Sequence, residues 1–192
     1  MPWLLLLALG GTFAIDPQRC NISVHVGKSG VFRFAGHEHE VVANRCRGEV
    51  VASLEDVSRS SVTLSFGAAA LQVSEKGEPA GDAPKVQAAM VKLLDIARFP
   101  EIRFASTSVS GRALDAGTYE LQVTGDLTLH GVTQRVAVPL RVVQQGDGLV
   151  ASGRLTLRQS AFGMDPISVA GGTVKVKDEL RIDFQIAADR RR

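Results

Sequence analysis

The 192-residue sequence has few aromatic residues and no excess of charge of either sign. Phe, Trp and Tyr make up 5% of the chain, and 22 basic residues stand against 20 acidic ones. Such a chain lacks the basic face that binds nucleic-acid phosphates and the stacking platforms that bind single strands. We therefore expect no nucleic-acid partner. Residues 189–192 end in three arginines and are interpreted as a solvated basic tail.

The sequence also lacks the short motifs that accompany common catalytic sites. It contains no Gly-x-Ser-x-Gly elbow, no P-loop and no dinucleotide-binding fingerprint, and the Gly171-Gly172 pair reads as a turn. Ser160 has no base at a spacing that would activate it. We therefore expect a protein that is not an enzyme and needs no cofactor.

Only the N-terminus carries a continuous apolar run. Residues 1–14 are apolar and end on the small Ala14, and Asp16 is the first charged residue. The run resembles a secretory signal cleaved after Ala14, although no basic residue precedes it. This predicts a periplasmic or secreted protein with at most transient membrane contact. The alternatives are a shifted start or a buried first strand.

Only two cysteines are present, Cys20 and Cys46. In an exported protein they could form one disulfide closing a loop of about 26 residues, worth on the order of 3 kcal/mol. Two buried free thiols are the alternative, because the separation of the two residues in space is not readable from sequence.

Alternation of apolar and polar residues dominates the second half of the chain. From Thr118 to Lys177, four segments alternate at every position and are joined by short turns containing glycine. Half-buried antiparallel strands have this period. Similar segments give about eight strands, near residues 22–26, 41–53, 62–66, 102–109, 117–129, 133–143, 148–158 and 172–187.

One segment, Asp82–Phe99, has helical rather than strand periodicity, with Pro84 near its first turn. The sequence therefore predicts an all-β domain with one helix that covers one end of a closed or strongly curled antiparallel sheet. The inward face of such a sheet is filled either by side chains or by a ligand.

Several motifs, in order along the chain, resemble the YceI-like lipid (polyisoprenoid)-binding domain family over residues 15–188. The most specific is the Gly125-Asp-Leu-Thr-Leu-His-Gly-Val-Thr133 segment. The others are Asp16-Pro17, the Gly-Lys-Ser-Gly turn at 27–30, Phe99-Pro-Glu-Ile-Arg-Phe104, Ser160-Ala-Phe-Gly-Met164 and Val174-Lys-Val-Lys-Asp178. The resemblance implies an extended, eight-stranded lipocalin-like barrel, usually periplasmic. It also implies that the barrel binds, transports or stores a polyisoprenoid, an isoprenoid quinone or a similar lipid.

The residues themselves favour an open interior. Val136, Val138, Leu140, Ala151 and Gly153 are small or aliphatic, and they leave room that large aromatic side chains would close. A ligand-free structural barrel, packed by its own side chains, remains the alternative. The sequence does not determine the oligomeric state, and a homodimer is one candidate.

The expected ligand contacts combine apolar side chains with polar partners for a head group. Asp178 lies on the apolar face of the last strand, where it either contacts a head group or binds backbone amides at a bend. His37 and His39 share one face of a strand, so a metal- or haem-associated redox role is a rival function, although no further ligand is fixed. The candidate contacts are Phe32, Phe34, Phe66, Phe104, Phe162, Met164, Phe184, Asp178, His37 and His39.

Overall fold

The computed structural model describes residues 10–29, 39–53, 55–76, 81–169 and 174–191. These residues form strands connected by short turns, three short 3-10 helices and one α-helix, α1 (Ala83–Leu94). The 3-10 helices are Val57–Arg59, Ala68–Ala70 and Gln159–Phe162. The strands are β1 (Gly10–Ser29), β2 (His39–Ala43), β3 (Arg47–Ser53), β4 (Ser61–Gly67), β5 (Gln72–Val73), β6 (Glu101–Asp115), β7 (Thr118–Leu129), β8 (Val132–Gln145), β9 (Gly148–Arg158), β10 (Ser168–Val169) and β11 (Val174–Arg190).

Eight of these strands close into an antiparallel barrel. The ring runs β1, β3, β4, β6, β7, β8, β9 and β11, and β11 pairs with β1 to complete it. The prediction of an eight-stranded lipocalin-like barrel with one helix is confirmed. The short strands β2, β5 and β10 add to the ring strands without belonging to the ring. Within the described residues, no helix has the length and apolar character needed to cross a bilayer.

The two halves of β1 pair with different strands. Residues Gly10–Ala14 pair with β3, whereas Ile22–Val26 pair with β2. Between these halves the register with β11 shifts from Ile15 to Cys20. A disulfide joins Cys20, at this irregularity, to Cys46 in the connection between β2 and β3, with a Cα–Cα distance of 5.9 Å.

This arrangement corrects the expected single strand over residues 41–53. The chain leaves the strand conformation between Ala43 and Arg47, because it passes there from one half of β1 to the other. Within β3, Gly48 pairs in regular register with Leu64, so the glycine makes no bulge or bend there. A Cβ at this position would contact the backbone of Thr63, so the glycine permits a close approach of two strands.

The N-terminal residues that the structure describes belong to the barrel. Phe13 is 2% exposed, and the Arg190 guanidinium lies 5.0 Å from its ring centroid. The expected cleavage point after Ala14 thus falls within β1, and the first nine residues of that segment lie outside the described residues. At the other terminus, residues 189–191 are not a solvated tail: Arg190 donates to the Gly10 carbonyl, and the Arg191 amide donates to the Thr12 carbonyl.

The helix is shorter than the sequence pattern indicates. It ends at Leu94, and Asp95 adopts a left-handed conformation with φ of 43°. The sequence pattern extended to Phe99, but a turn over residues 95–98 intervenes before β6. The Gln87 side chain fixes α1 beside β5, because it accepts from the Val73 amide at 2.8 Å and donates to the Leu71 carbonyl at 3.0 Å.

Candidate functional site

The barrel encloses a cavity of about 590 Å³. All eight ring strands and α1 contribute side chains to its wall. Among the described residues that line it, only His39, Lys85 and Gln159 are polar, and all others are aliphatic, aromatic or methionine. Volumes of 300–1,000 Å³ are typical of small-molecule sites, so about 590 Å³ is room for a ligand.

The alternation seen in the sequence explains how the wall is built. On β9, Leu149, Ala151, Leu155 and Leu157 line the cavity, while Ser152, Arg154 and Thr156 on the other face of the strand are exposed. Each strand of the ring repeats this pattern, because successive side chains point to opposite faces of a sheet. The inward residues predicted for β8, which are Val136, Val138 and Leu140, also line the cavity.

Four of the predicted apolar ligand contacts line the cavity. These residues come from three strands and from the segment that follows β9, and they are Phe66, Phe104, Phe184 and Met164. Phe162 does not line it: this residue is 1% exposed and belongs to the packed core. Phe32 and Phe34 lie outside the described residues.

Two histidines predicted as head-group or metal ligands have different outcomes. His39 on β2 lines the cavity, whereas His37 lies outside the described residues. Of the other two, His25 contacts Asp183, with 3.1 Å from Nε2 to Oδ2, and His130 Nδ1 lies 3.1 Å from the Phe162 carbonyl. The part of the chain described by the structure contains no group of three His, Cys, Asp or Glu residues placed to hold a metal ion.

Asp178 is held by its neighbours and does not line the cavity. Its Oδ1 accepts from the Ser160 amide at 2.8 Å, and its Oδ2 accepts from the Ser160 hydroxyl at 2.6 Å. The hydroxyl contact, followed by the amide contact, lowers the pKa of the Asp178 carboxyl. The carboxylate thus fixes the 3-10 helix Gln159–Phe162 against β11. Of the two roles that the sequence allowed for Asp178, this is binding of backbone and not contact with a head group.

Comparisons with known proteins agree with this barrel fold. The sequence matches the model of the YceI-like domain over residues 13–188. The chain belongs to the YceI-like family. The resemblance drawn from the sequence motifs is therefore confirmed.

Curated relatives of this YceI-like chain match only part of it. A UPF0312 protein of Shewanella denitrificans is 35% identical over 91 residues, covering 43% of this chain and 45% of the relative. Protein YceI of Salmonella arizonae is 36% identical over 75 residues, covering 35% of this chain and 37% of the relative. The chain thus spans less than half the length of these curated relatives.

Solved structures share the YceI-like fold over nearly the whole chain. BcnA of Burkholderia cenocepacia has a TM-score of 0.66 at 20% identity, covering 90% of this chain and 98% of that chain. A polyisoprenoid binding domain from Saccharophagus degradans, implicated in plant cell wall breakdown, has a TM-score of 0.65 at 10% identity. This match covers 93% of the present chain and 98% of the Saccharophagus degradans domain. These likenesses show that the chain has the fold of the YceI-like barrels.

Sequence reasoning missed two polar residues in the wall of this YceI-like barrel. Gln159 follows a strand and looks like a surface residue, yet it is 4% exposed, and its Nε2 donates to the Lys177 carbonyl at 2.8 Å. Lys85 lies in the first turns of α1, and its Nζ is 3.1 Å from Asp82 Oδ1. The helical period does indicate that Lys85 faces the cavity. It lies four residues before Ala89 and eight before Leu93, and both of these residues line the cavity.

The polar wall residues lie towards one end of the barrel. His39 pairs with Val26, Val26 with Leu180, and Leu180 with Leu157, which is two residues before Gln159. The helix that carries Lys85 packs beside β5, which in turn pairs with β2. The opposite end, formed by the β6–β7 and β8–β9 turns, contributes only apolar residues to the described wall.

Proposed function

We propose that this domain binds a long apolar amphiphile, such as a polyisoprenoid or an isoprenoid quinone, inside its barrel. The protein carries or stores this molecule in the cell envelope without transforming it. The observation that carries the proposal is the cavity of about 590 Å³ whose described wall is apolar except for three residues.

The energetics favour a chain ligand over a polar one. Moving one five-carbon isoprene unit from water into an apolar cavity contributes about 4 kcal/mol, at about 0.8 kcal/mol per methylene-sized group. Ordering the chain and losing translational freedom offset part of this gain, but several units still give a large surplus. A polar molecule in the same place would lose its hydrogen bonds to water and find few partners.

The distribution of polar groups supports one orientation of the ligand. A head group that forms hydrogen bonds would lie near His39, Lys85 and Gln159, and the tail would extend towards the opposite end, where the described wall residues are all apolar. The similarity in fold to the polyisoprenoid binding domain from Saccharophagus degradans supports the ligand class.

The disulfide supports a location in the cell envelope or outside the cell. Disulfides such as Cys20–Cys46 persist in oxidising compartments and are rare in the cytosol of mesophiles. Periplasmic or secreted localisation fits a carrier of molecules that belong to membranes.

Two measurements test the proposal. Organic extraction of freshly purified protein, followed by mass spectrometry, is expected to release a prenyl lipid at a near-equal molar ratio. Lipid-free protein is then titrated with geranylgeraniol, a prenyl alcohol. Wild-type protein that yields no lipid and does not bind this probe contradicts the proposal.

A pair of variants locates the binding in the barrel. Ala151→Phe places a ring in the cavity, and Ala137→Phe places the same ring on the exposed outer face of β8. We expect Ala151→Phe to weaken geranylgeraniol binding at least about tenfold, because lost contact area of a few methylene equivalents has this effect. Ala137→Phe is the matched control and is expected to bind as the wild type does. Equal binding by both variants places the ligand elsewhere.

A further inference from the structure

One inward position on β9 has no side chain, and a ring from the neighbouring strand takes its place. Gly153 lies between Ala151 and Leu155, both of which line the cavity, but it does not line the cavity itself. Its partner on β11 is Phe184. A Cβ added to Gly153 would lie 2.7 Å from Phe184 Cζ, so the ring occupies the space that any other residue at 153 would fill.

The same arrangement recurs on β7, two strands away in the ring. Gly125 on β7 lies between the lining residues Val123 and Leu127, and Phe104 of β6 covers it. A Cβ on Gly125 would lie 2.5 Å from Phe104 Cζ and 2.6 Å from Cε2. Glycine in a strand commonly marks such a close approach, and an aromatic ring laid over it restores the packing.

The absence of a side chain at each glycine leaves a recess in the barrel wall, and this recess determines how far the ring over it projects into the barrel. An eight-stranded barrel has an interior just wide enough for its own side chains or one small ligand, so a phenyl ring standing away from the wall would close it. Both rings instead lie against backbone, and both still line the cavity. The two rings are therefore part of the wall that bounds the open space.

We propose that Phe104 and Phe184, each seated over a glycine, determine the width of the ligand that the barrel accepts. The inference rests on the proposed function, because it concerns the selectivity of the same cavity. The recessed rings leave room for an extended chain and exclude a molecule of equal size that is broader. Shortening either side chain widens the cavity and weakens this discrimination.

Truncating the rings is a cleaner test than replacing the glycines. A Cβ at Gly125 would lie 2.5 Å from the Ala105 carbonyl oxygen, and one at Gly153 would lie 2.5 Å from the Pro139 carbonyl oxygen. Alanine at either position would therefore disturb the backbone of the neighbouring strand as well as the ring. Phe104→Leu and Phe184→Leu change the side chains alone.

The experiment compares two alcohols with the same number of carbons, geranylgeraniol as the extended chain and a fused tricyclic diterpene alcohol as the broad probe. We expect wild-type protein to prefer the chain. Phe104→Leu and Phe184→Leu are each expected to raise the affinity of the broad probe relative to the chain by about tenfold, the usual effect of a change of one or a few carbons in a pocket. Phe162→Leu is the control, because Phe162 is a buried ring that does not line the cavity.

The outcomes separate this inference from the proposed function. If wild-type protein binds geranylgeraniol but neither leucine variant changes the affinity ratio, the rings do not set the width and the inference fails alone. An equal change in Phe162→Leu also overturns it, since a general loosening of the barrel would then be the cause. Wild-type protein that binds neither alcohol contradicts the proposed function, and the inference with it.

Discussion

Reducing the Cys20–Cys46 disulfide is expected to destabilise the barrel by about 3.5 kcal/mol. The bond joins the irregular part of β1 to the connection between β2 and β3, and its two residues are 0% and 3% exposed. β1 and β3 are neighbours in the ring, so the cross-link holds together two strands that must both be in place for the barrel to close.

The magnitude follows from the length of the loop that the bond closes. With a sequence separation of 26 between the cysteines, loop closure removes about 12 cal/mol/K of entropy from the unfolded chain, or about 3.5 kcal/mol at 25 °C. If the free energy of unfolding falls by roughly 2–3 kcal/mol per molar urea, the urea midpoint of unfolding would fall by about 1.2–1.8 M.

Urea unfolding of the same protein in its oxidised and reduced forms measures this shift. Reduced wild type is the appropriate comparison, because both sulfur atoms stay in the core and only the covalent link is lost. A Cys20→Ala, Cys46→Ala double variant is expected to be less stable than reduced wild type, since it also loses two buried thiols. A midpoint that moves by less than about 0.3 M on reduction would refute the loop-closure reasoning.

Two further predictions concern contacts that hold the ends of elements in place. Asp178→Asn is expected to lower the free energy of unfolding at pH 7. Ser160 lowers the pKa of Asp178 in the folded protein. The extra stability of the wild type is therefore present above pH about 4 and is lost as the pH falls through the folded pKa. Urea midpoints of both proteins at pH 7 and pH 3 check this, and an equal difference at the two pH values argues against it. Gln87→Ala leaves the Val73 amide and the Leu71 carbonyl without their side-chain partner, at a cost of about 1–3 kcal/mol, and is expected to speed amide hydrogen exchange in α1. Exposed Gln72→Ala is its control, and unchanged exchange in α1 would contradict the role given to Gln87.

Local periodicity was sufficient to predict the regular part of the fold. The strand expected over residues 148–158 matches β9 (Gly148–Arg158), and the one expected near 117–129 matches β7 (Thr118–Leu129). In these hairpins the alternation of side chains, the turn residues and the strand pairing all agree. At the β7–β8 turn, for example, His130 and Gly131 have φ of 53° and 74°, the conformation that a two-residue hairpin loop requires.

Elements shaped by distant contacts were not predictable in this way. The split between β2 and β3 depends on the irregularity in β1, which is distant in sequence. Pro17 is a local signal for that irregularity, but it does not indicate where another strand is interrupted. Phe162 was expected to contact the ligand, but the 3-10 helix Gln159–Phe162 ends the strand period after Arg158. That helix turns Phe162 into the core and brings the polar Gln159 to the cavity wall.

The glycines of this barrel show why an open interior is a property of the whole sheet. At Gly125 and Gly153 the sequence alone shows only small residues on inward faces, which favours a cavity but gives no shape. The shape depends on which ring lies over each glycine, and this follows from register: Phe184 is directly opposite Gly153, whereas Phe104 reaches Gly125 diagonally from its pairing with Leu127. A shift of one residue in either pairing would reverse the faces of a whole strand and leave these recesses empty. Strand register therefore controls both the closure of the barrel and the space inside it.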